Sequence, residues 1–264
     1  MTSVVDLQKA EFQALDDLCS SLTDAEWDRQ TECPGWSVKD NLSHIIGTES
    51  AAFLGRPAPD HQVDDKPWVR NPGGAANEVQ VDYRRSRTPA EVLAEFREVV
   101  AERTKQLDAL SDDDLAKESW TPIGQGTVAD FIAIRVMDCW VHEQDIRRAV
   151  GKPGGYGNEA AAHSFARHAS AMSFVIGKKV APPEGTTVVF DVVGFDPVAV
   201  EMKSPRAAVV PAPDEPTVTL HMDHETFTRL SCGRGDNADV GKNVKMEGDV
   251  ALGRQVVASM NFMV

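Results

Sequence analysis

The chain has 264 residues, 42% of them apolar and 26% charged, the composition of a folded rather than a disordered protein. Its 41 acidic and 27 basic side chains leave a formal charge of −14, which argues against a nucleic-acid partner, since phosphate binding needs a basic patch. No apolar stretch approaches a membrane span, and the N-terminus, MTSVVDLQKAEFQALDD, has acids where a secretion signal has bases and an apolar core, so a cytoplasmic protein is expected.

Residues 4–26 place Val5, Leu7, Phe12, Leu15, Leu18 and Leu22 at helical spacing. TECPGW is a turn signal. Ser37 then suits the N-cap of a helix from about Val38 to Phe53, with Asn41 rather than Glu following, and Leu42, Ile45 and Ile46 on its buried side. Residues 55–88, rich in Pro, Gly, Asp and Arg, predict a long loop with one short helix at most, and such loops are more often functional than idle. Thr88 as cap and Pro89 at the first helical position start a third helix, which runs to about Leu110. A fourth spans about Val128 to Val150, ended by Gly151 and Pro153. NEAAAHSFARHASAMSFVIG makes a fifth.

Beyond the APPEG turn the texture changes. TTVVFDVV, VAVEMK and PTVTLHM are rich in β-branched residues and predict strands. DHETFTRLSCG reads as a short helix capped by Asp223 and closed by Gly233, NVKMEGD as a last strand, and VALGRQVVASMNFM as a last helix. The expected architecture is α+β: a helical bundle over residues 1–180, then a small α+β domain over 185–264. The four cysteines, at 19, 33, 139 and 232, form no CxxC pair and are expected as thiols in a reducing compartment.

The segment DCWVHEQD carries the chemistry. Asp138 and His142 are four residues apart, about 40° around a helix, so they share one face. Alone they would make a surface ion pair of modest value. His44 supplies a third group, because it sits mid-helix against Leu42, Ile45 and Ile46, where the bundle interior should lie. Helical bundles build metal sites by projecting carboxylates and imidazoles inward from facing helices. Two His and one carboxylate leave a fourth tetrahedral position open, the pattern of a catalytic zinc. Asp145 lies about 20° from Asp138 two turns along, either as an acceptor orienting an imidazole or as a surface carboxylate. Cys139 would crowd such a site or serve as a core thiol. His61, His163, His168, His221 and His224 read as ordinary structural or solvated histidines. There is no glycine-rich phosphate loop after a strand, which argues against a nucleotide enzyme.

CPGWSVKDNLSHIIGTE and DCWVHEQDIRRAVG resemble the two signature segments of the mycothiol-dependent maleylpyruvate isomerase family, within the wider DinB-like superfamily. The tail, VTLHMDHETFTRLSCGRGD to VKMEGDVALGRQVV, resembles that family's C-terminal domain, related to sterol-carrier folds. The resemblance implies a DinB-like bundle followed by a sterol-carrier-like domain, with His44, Asp138 and His142 as ligands of a divalent metal, zinc first among candidates. Asp145 then matches the Asp found three residues after the second His. The family acid is usually Glu, so the shorter Asp138 is a departure that draws the metal nearer its helix or weakens its binding. The implied activity is that of an isomerase or thiol transferase with mycothiol as thiol cosubstrate. The thiol adds to the cis double bond of maleylpyruvate, the resulting single bond rotates, and elimination leaves the trans isomer. A dicarboxylate needs cationic partners. Arg135 falls on the ligand face, and Arg234, in the LSCGR segment, is expected to reach across from the second domain; for both, a salt bridge or a solvated role is the alternative. A second reading is a non-catalytic binding or regulatory protein, with zinc holding the bundle together and the sterol-carrier-like domain taking the ligand.

Overall fold

The computed structural model describes residues 2–263. It divides into two compact units, one ending at Ala161 and one running from Ala162 to Met263. The sequence reading set the division near residue 180. The difference arises because the fifth helix turns Phe165, Ala169, Met172, Val175 and Ile176 into the core of the second unit. The chain is α+β, helical first and sheet-bearing after.

The first unit begins with α1 (Val4–Ser20), capped by Ser3, which accepts from Asp6 N–H. The expected single helix over 4–26 is broken here, because Thr23 caps a separate turn, α2 (Asp24–Trp27). Helix α3 (Val38–Thr48) starts in a capping box: Ser37 Oγ accepts from Asp40 N–H while the Asp40 carboxylate accepts from Ser37 N–H. It runs on into a π-helical turn, Glu49–Phe53. The supposed loop holds a substantial helix, α4 (Pro72–Arg85), with Asn71 as cap and Pro72 at the first position. Two adjacent glycines at its start hid it from a propensity reading.

Next come α5 (Pro89–Asp108) and the short α6 (Asp112–Leu115). A hairpin that the sequence reading missed follows, β1 (Glu118–Thr121) paired antiparallel with β2 (Gly124–Thr127). Helix α7 (Val128–Val150) ends at Gly151, whose left-handed φ of 70° closes it as a C-cap. Helices α1 and α3 each pack against both α5 and α7, giving a four-helix ring, and α4 lies outside against α3. Phe12, Leu15, Leu42, Ile45, Ile46, Phe96, Ile132 and Ile146 fill its core, each contributing roughly 1.5–3 kcal/mol by leaving water.

Helix α8 (Glu159–Phe174) continues as a π-helical stretch, Val175–Val180. The second unit's sheet comprises β3 (Thr187–Val192), β4 (Val198–Lys203), β5 (Arg206–Val210), β6 (Val218–Met222) and, later, β7 (Lys245–Gly248). The spatial order is β5-β4-β3-β6-β7, and β3 pairs parallel with β6 while the other neighbours are antiparallel. Strand β5 was not expected, since RAAVV lies among prolines. Between β6 and β7 sit α9 (His224–Cys232) and α10 (Asn237–Val240), and α11 (Val250–Ser259) follows. Val188, Phe190, Leu220, Phe227, Leu230 and Val256 are its inner residues. Among the described residues, no helix is long and apolar enough to cross a membrane.

Candidate metal centre

The site lies inside the first unit, between α3 and α7. His44, Asp138 and His142 each present one ligand atom, all within 4.8 Å of one another. His44 Nε2 is 3.2 Å from Asp138 Oδ2, and His142 Nε2 is 3.7 Å from Asp138 Oδ1. Bonds of about 2.0–2.2 Å to a tetrahedral zinc place neighbouring ligand atoms about 3.3–3.5 Å apart, so the spacing suits such an ion with little movement. The two imidazole centroids are 4.9 Å apart.

The hydrogen bonds behind His142 strengthen the fit. Its Nδ1 is 2.7 Å from Asn41 Oδ1. The Asn41 amide cannot turn freely, because its Nδ2 donates to Thr31 Oγ1 at 3.0 Å and to the Ser37 carbonyl at 2.8 Å. Thr31 Oγ1 in turn donates to the Trp36 carbonyl at 2.8 Å. The Asn41 oxygen therefore accepts a proton held on Nδ1, and the lone pair of Nε2 faces Asp138. Asp145 Oδ2 lies 3.3 Å from the same Nδ1, while its Oδ1 accepts from Arg148 Nη2 at 2.6 Å. Cys33 stands on this edge too, in a second grouping with His142 and Asp145. Since Asn41 engages Nδ1, the Nε2 edge is the one left facing His44 and Asp138, where the three groups could hold an ion.

Electrostatics agree with a ligand role. Burial lowers the proton affinity of His44, which outweighs the pull of Asp138 and keeps the imidazole neutral. Burial alone would raise the Asp138 carboxyl, but the Arg135 guanidinium, then His142 and His44, hold it well below the usual carboxylate range. Burial pushes the Cys139 thiol far up, so it remains a neutral core thiol, accepting from Gln8 Nε2 at 3.4 Å.

Trp36 lies over both imidazoles, with centroid distances of 5.1 Å to His44 and 5.9 Å to His142. Its Nε1 donates to Glu78 Oε2 at 2.9 Å, and Trp68 Nε1 donates to the same oxygen at 3.0 Å. The CPGW turn is thus tied to α4. Gly35 makes this possible, with φ at 72° and the Trp68 ring where a Cβ would stand. In the sequence CPGW reads only as a turn and Asn41 only as part of the helix start, although Asn41 precedes His44 by three on the same helix face.

Arg135 is on the ligand face as expected, but its donors are engaged by protein. Nε donates to Glu49 Oε1 at 2.8 Å, Nη1 to Asp138 Oδ2, and Nη2 to Cys139 Sγ at 3.6 Å. Arg234 belongs to the second unit just past α9. It is nearly buried, and its Nη1 donates to the Cys232 carbonyl at 3.0 Å. His61 and His221 are paired with Asp82 and Asp191, outside the cluster. None of the four cysteines is in a disulfide.

The fold defines an α+β protein in which a four-helix bundle encloses a cluster of two imidazoles and a carboxylate, followed by a five-stranded sheet unit. Residues 9–147 match the family model described as the mycothiol maleylpyruvate isomerase N-terminal domain, and residues 162–255 match that of the MDMPI C-terminal domain. The chain belongs to the mycothiol maleylpyruvate isomerase family. Two uncharacterized proteins, from two strains of Mycobacterium tuberculosis, are each 24% identical to it over 192 residues, 69% of this chain and 69% of their own length. The crystal structure of a mycothiol-dependent maleylpyruvate isomerase is similar in fold, with a TM-score of 0.58 and 17% identity over 94% of this chain and 96% of that one. A histidine-to-alanine mutant of that enzyme matches at 0.57.

Proposed function

We propose that this chain is a metal-dependent enzyme that adds a low-molecular-weight thiol, mycothiol, to a small electrophile of the maleylpyruvate kind. The observation that carries the reading is the convergence of His44 Nε2, His142 Nε2 and the Asp138 carboxylate, with the His142 tautomer set by Asn41. His44, Asp138 and His142 would hold a divalent cation, zinc by the nature of the donors. A bound cation of this kind with an open position lowers the pKa of an incoming thiol, so that the sulfur is a nucleophile at neutral pH.

The chain's own groups supply the rest. Asn41 and Asp145 orient His142 from behind, and Trp36 covers the imidazole faces and limits water there. Asp138 is the most open of the three candidate ligands, its side chain 17% exposed against 7% for His44 and 6% for His142, so reactants would enter beside it. Arg135, with its donors on Glu49, Asp138 and Cys139, serves Asp138 rather than a substrate carboxylate.

The test is metal analysis of purified protein followed by an activity screen. Wild type should carry about one zinc per chain, His44→Ala should lose it, and His163→Ala should keep it. Maleylpyruvate or another thiol-reactive electrophile should be consumed only when mycothiol is present. Equal metal content in wild type and His44→Ala would overturn the ligand set. Metal without thiol-dependent turnover would favour a zinc-stabilised binding protein instead.

A further inference from the structure

Behind Asp138 lies a run of buried charges that the reaction does not use. Glu49, in the π-turn after α3, is fully buried, and its two oxygens face different arginines. Oε1 accepts from Arg135 Nε at 2.8 Å, and Oε2 accepts from Arg103 Nε at 3.1 Å. Arg103 comes from α5 and is itself nearly buried, stacked 4.0 Å from the centroid of the Phe53 ring. Arg135 carries the contact onward, its Nη1 donating to Asp138 Oδ2, the oxygen that also faces His44 Nε2. Charges therefore alternate along Arg103, Glu49, Arg135 and Asp138, drawn from three helices, and the run ends on a candidate ligand.

A guanidinium in contact with a ligand carboxylate has two opposed effects on a cation bound there. It keeps the carboxylate ionised and fixed in direction. It also competes for the same oxygen lone pairs and repels the cation, and both effects are strong in a buried, poorly screened setting. Glu49 opposes that repulsion, but from behind Arg135, so the nearer positive charge prevails.

We infer, on the reading of His44, Asp138 and His142 as metal ligands, that Arg135 is a positioning residue that limits the metal affinity of the site through Asp138. In this arrangement Arg135 balances the Asp138 charge when no cation is bound, and the cation must share Oδ2 with it. Glu49 acts in the opposite sense, by offsetting the charge of Arg135. The pair makes the metal exchangeable, with Asp138 prepared for it but never exclusively its own.

The two residues predict effects of opposite sign, which a purely structural role does not. Zinc affinity is measured by competition with a chromophoric chelator for full-length wild type, Arg135→Met, Glu49→Gln and the double variant. Arg135→Met should bind zinc about tenfold or more tightly than wild type, and Glu49→Gln about tenfold more weakly, with charge repulsion setting the scale. The double variant should bind more tightly than Glu49→Gln alone, and this comparison stands even if Arg135→Met does not fold. If Arg135→Met and Glu49→Gln both weaken binding, or if the double variant is no tighter than Glu49→Gln, the ion pairs only maintain structure and the inference is overturned. Wild type that takes up no zinc would defeat the ligand reading itself, and this inference with it. Wild type that binds zinc with the same affinity as all variants would defeat this inference alone.

Discussion

Asn41 and His142, on two different helices, are joined by a 2.7 Å hydrogen bond that decides which edge of the imidazole faces Asp138. Asn41 can only accept there, because both of its other contacts are donated from Nδ2. Helix α3 thus supplies one candidate ligand, His44, and also the group that aims the other.

Asn41→Ala should therefore weaken zinc binding by about 10–100-fold, the usual effect of removing the acceptor behind a ligating histidine. Asn41→Asp, which keeps an acceptor in place, should retain most of the affinity. Chelator competition distinguishes them. Unchanged affinity in Asn41→Ala would mean that Asp145 alone sets the tautomer.

Asp138→Asn should abolish stoichiometric metal uptake, because a neutral amide lacks the charge that holds a divalent cation. It should also cost roughly 1–3 kcal/mol in the metal-free protein, since Arg135 loses a charged acceptor. Denaturant titration without metal reads the second effect independently of the first.

Glu11 on α1 and Glu143 on α7 are both buried within the bundle. Burial, then the Glu143 charge, pushes the Glu11 carboxyl up to about 9, against the pull of Arg147. An unfolded glutamate loses its proton near 4.5, so between these values the folded state holds a proton that the unfolded state releases. Stability from this group is complete below the lower value and declines as pH rises toward the upper one. Glu11→Gln should raise the thermal midpoint at about pH 8 and change it little at about pH 4. An equal shift at both would show that packing, not ionisation, governs the site.

Gly47→Ala tests the seat of α4. Replacing a mid-helix glycine with alanine ordinarily gains about 1 kcal/mol. Here the new Cβ would stand 2.5 Å from Gln80 Cβ, near the root of that side chain, where it cannot swing aside. The substitution should destabilise by about 1–3 kcal/mol. A rise in stability on chemical denaturation would show that α4 yields easily.

Much was legible without coordinates where the physics is local. The apolar spacing of α1 and α3, the Thr88–Pro89 start of α5 and the Gly151 stop of α7 follow from periodicity and capping, which depend on neighbours a few residues away. The glycines opening α4 and the prolines flanking β5 gave the opposite local signal, and packing overrode it: α3 supports the helix and β4 pairs with the strand. The placement of Asp138 and His142 on one face is likewise a property of helical pitch.

The sequence by itself determined which side chains could serve as ligands and on which helix faces they lie, because a helix fixes its own geometry. Only the tertiary structure decided what each of them meets. Ninety-four residues separate His44 from Asp138, and their 3.2 Å approach depends on how α3 packs on α7. The same packing gave His142 its acceptor in Asn41 and committed Arg135 to Glu49 and Asp138. Such partners come from elements distant in the chain, and no local pattern encodes them, since hydrogen bonds and ion pairs are set by which faces meet.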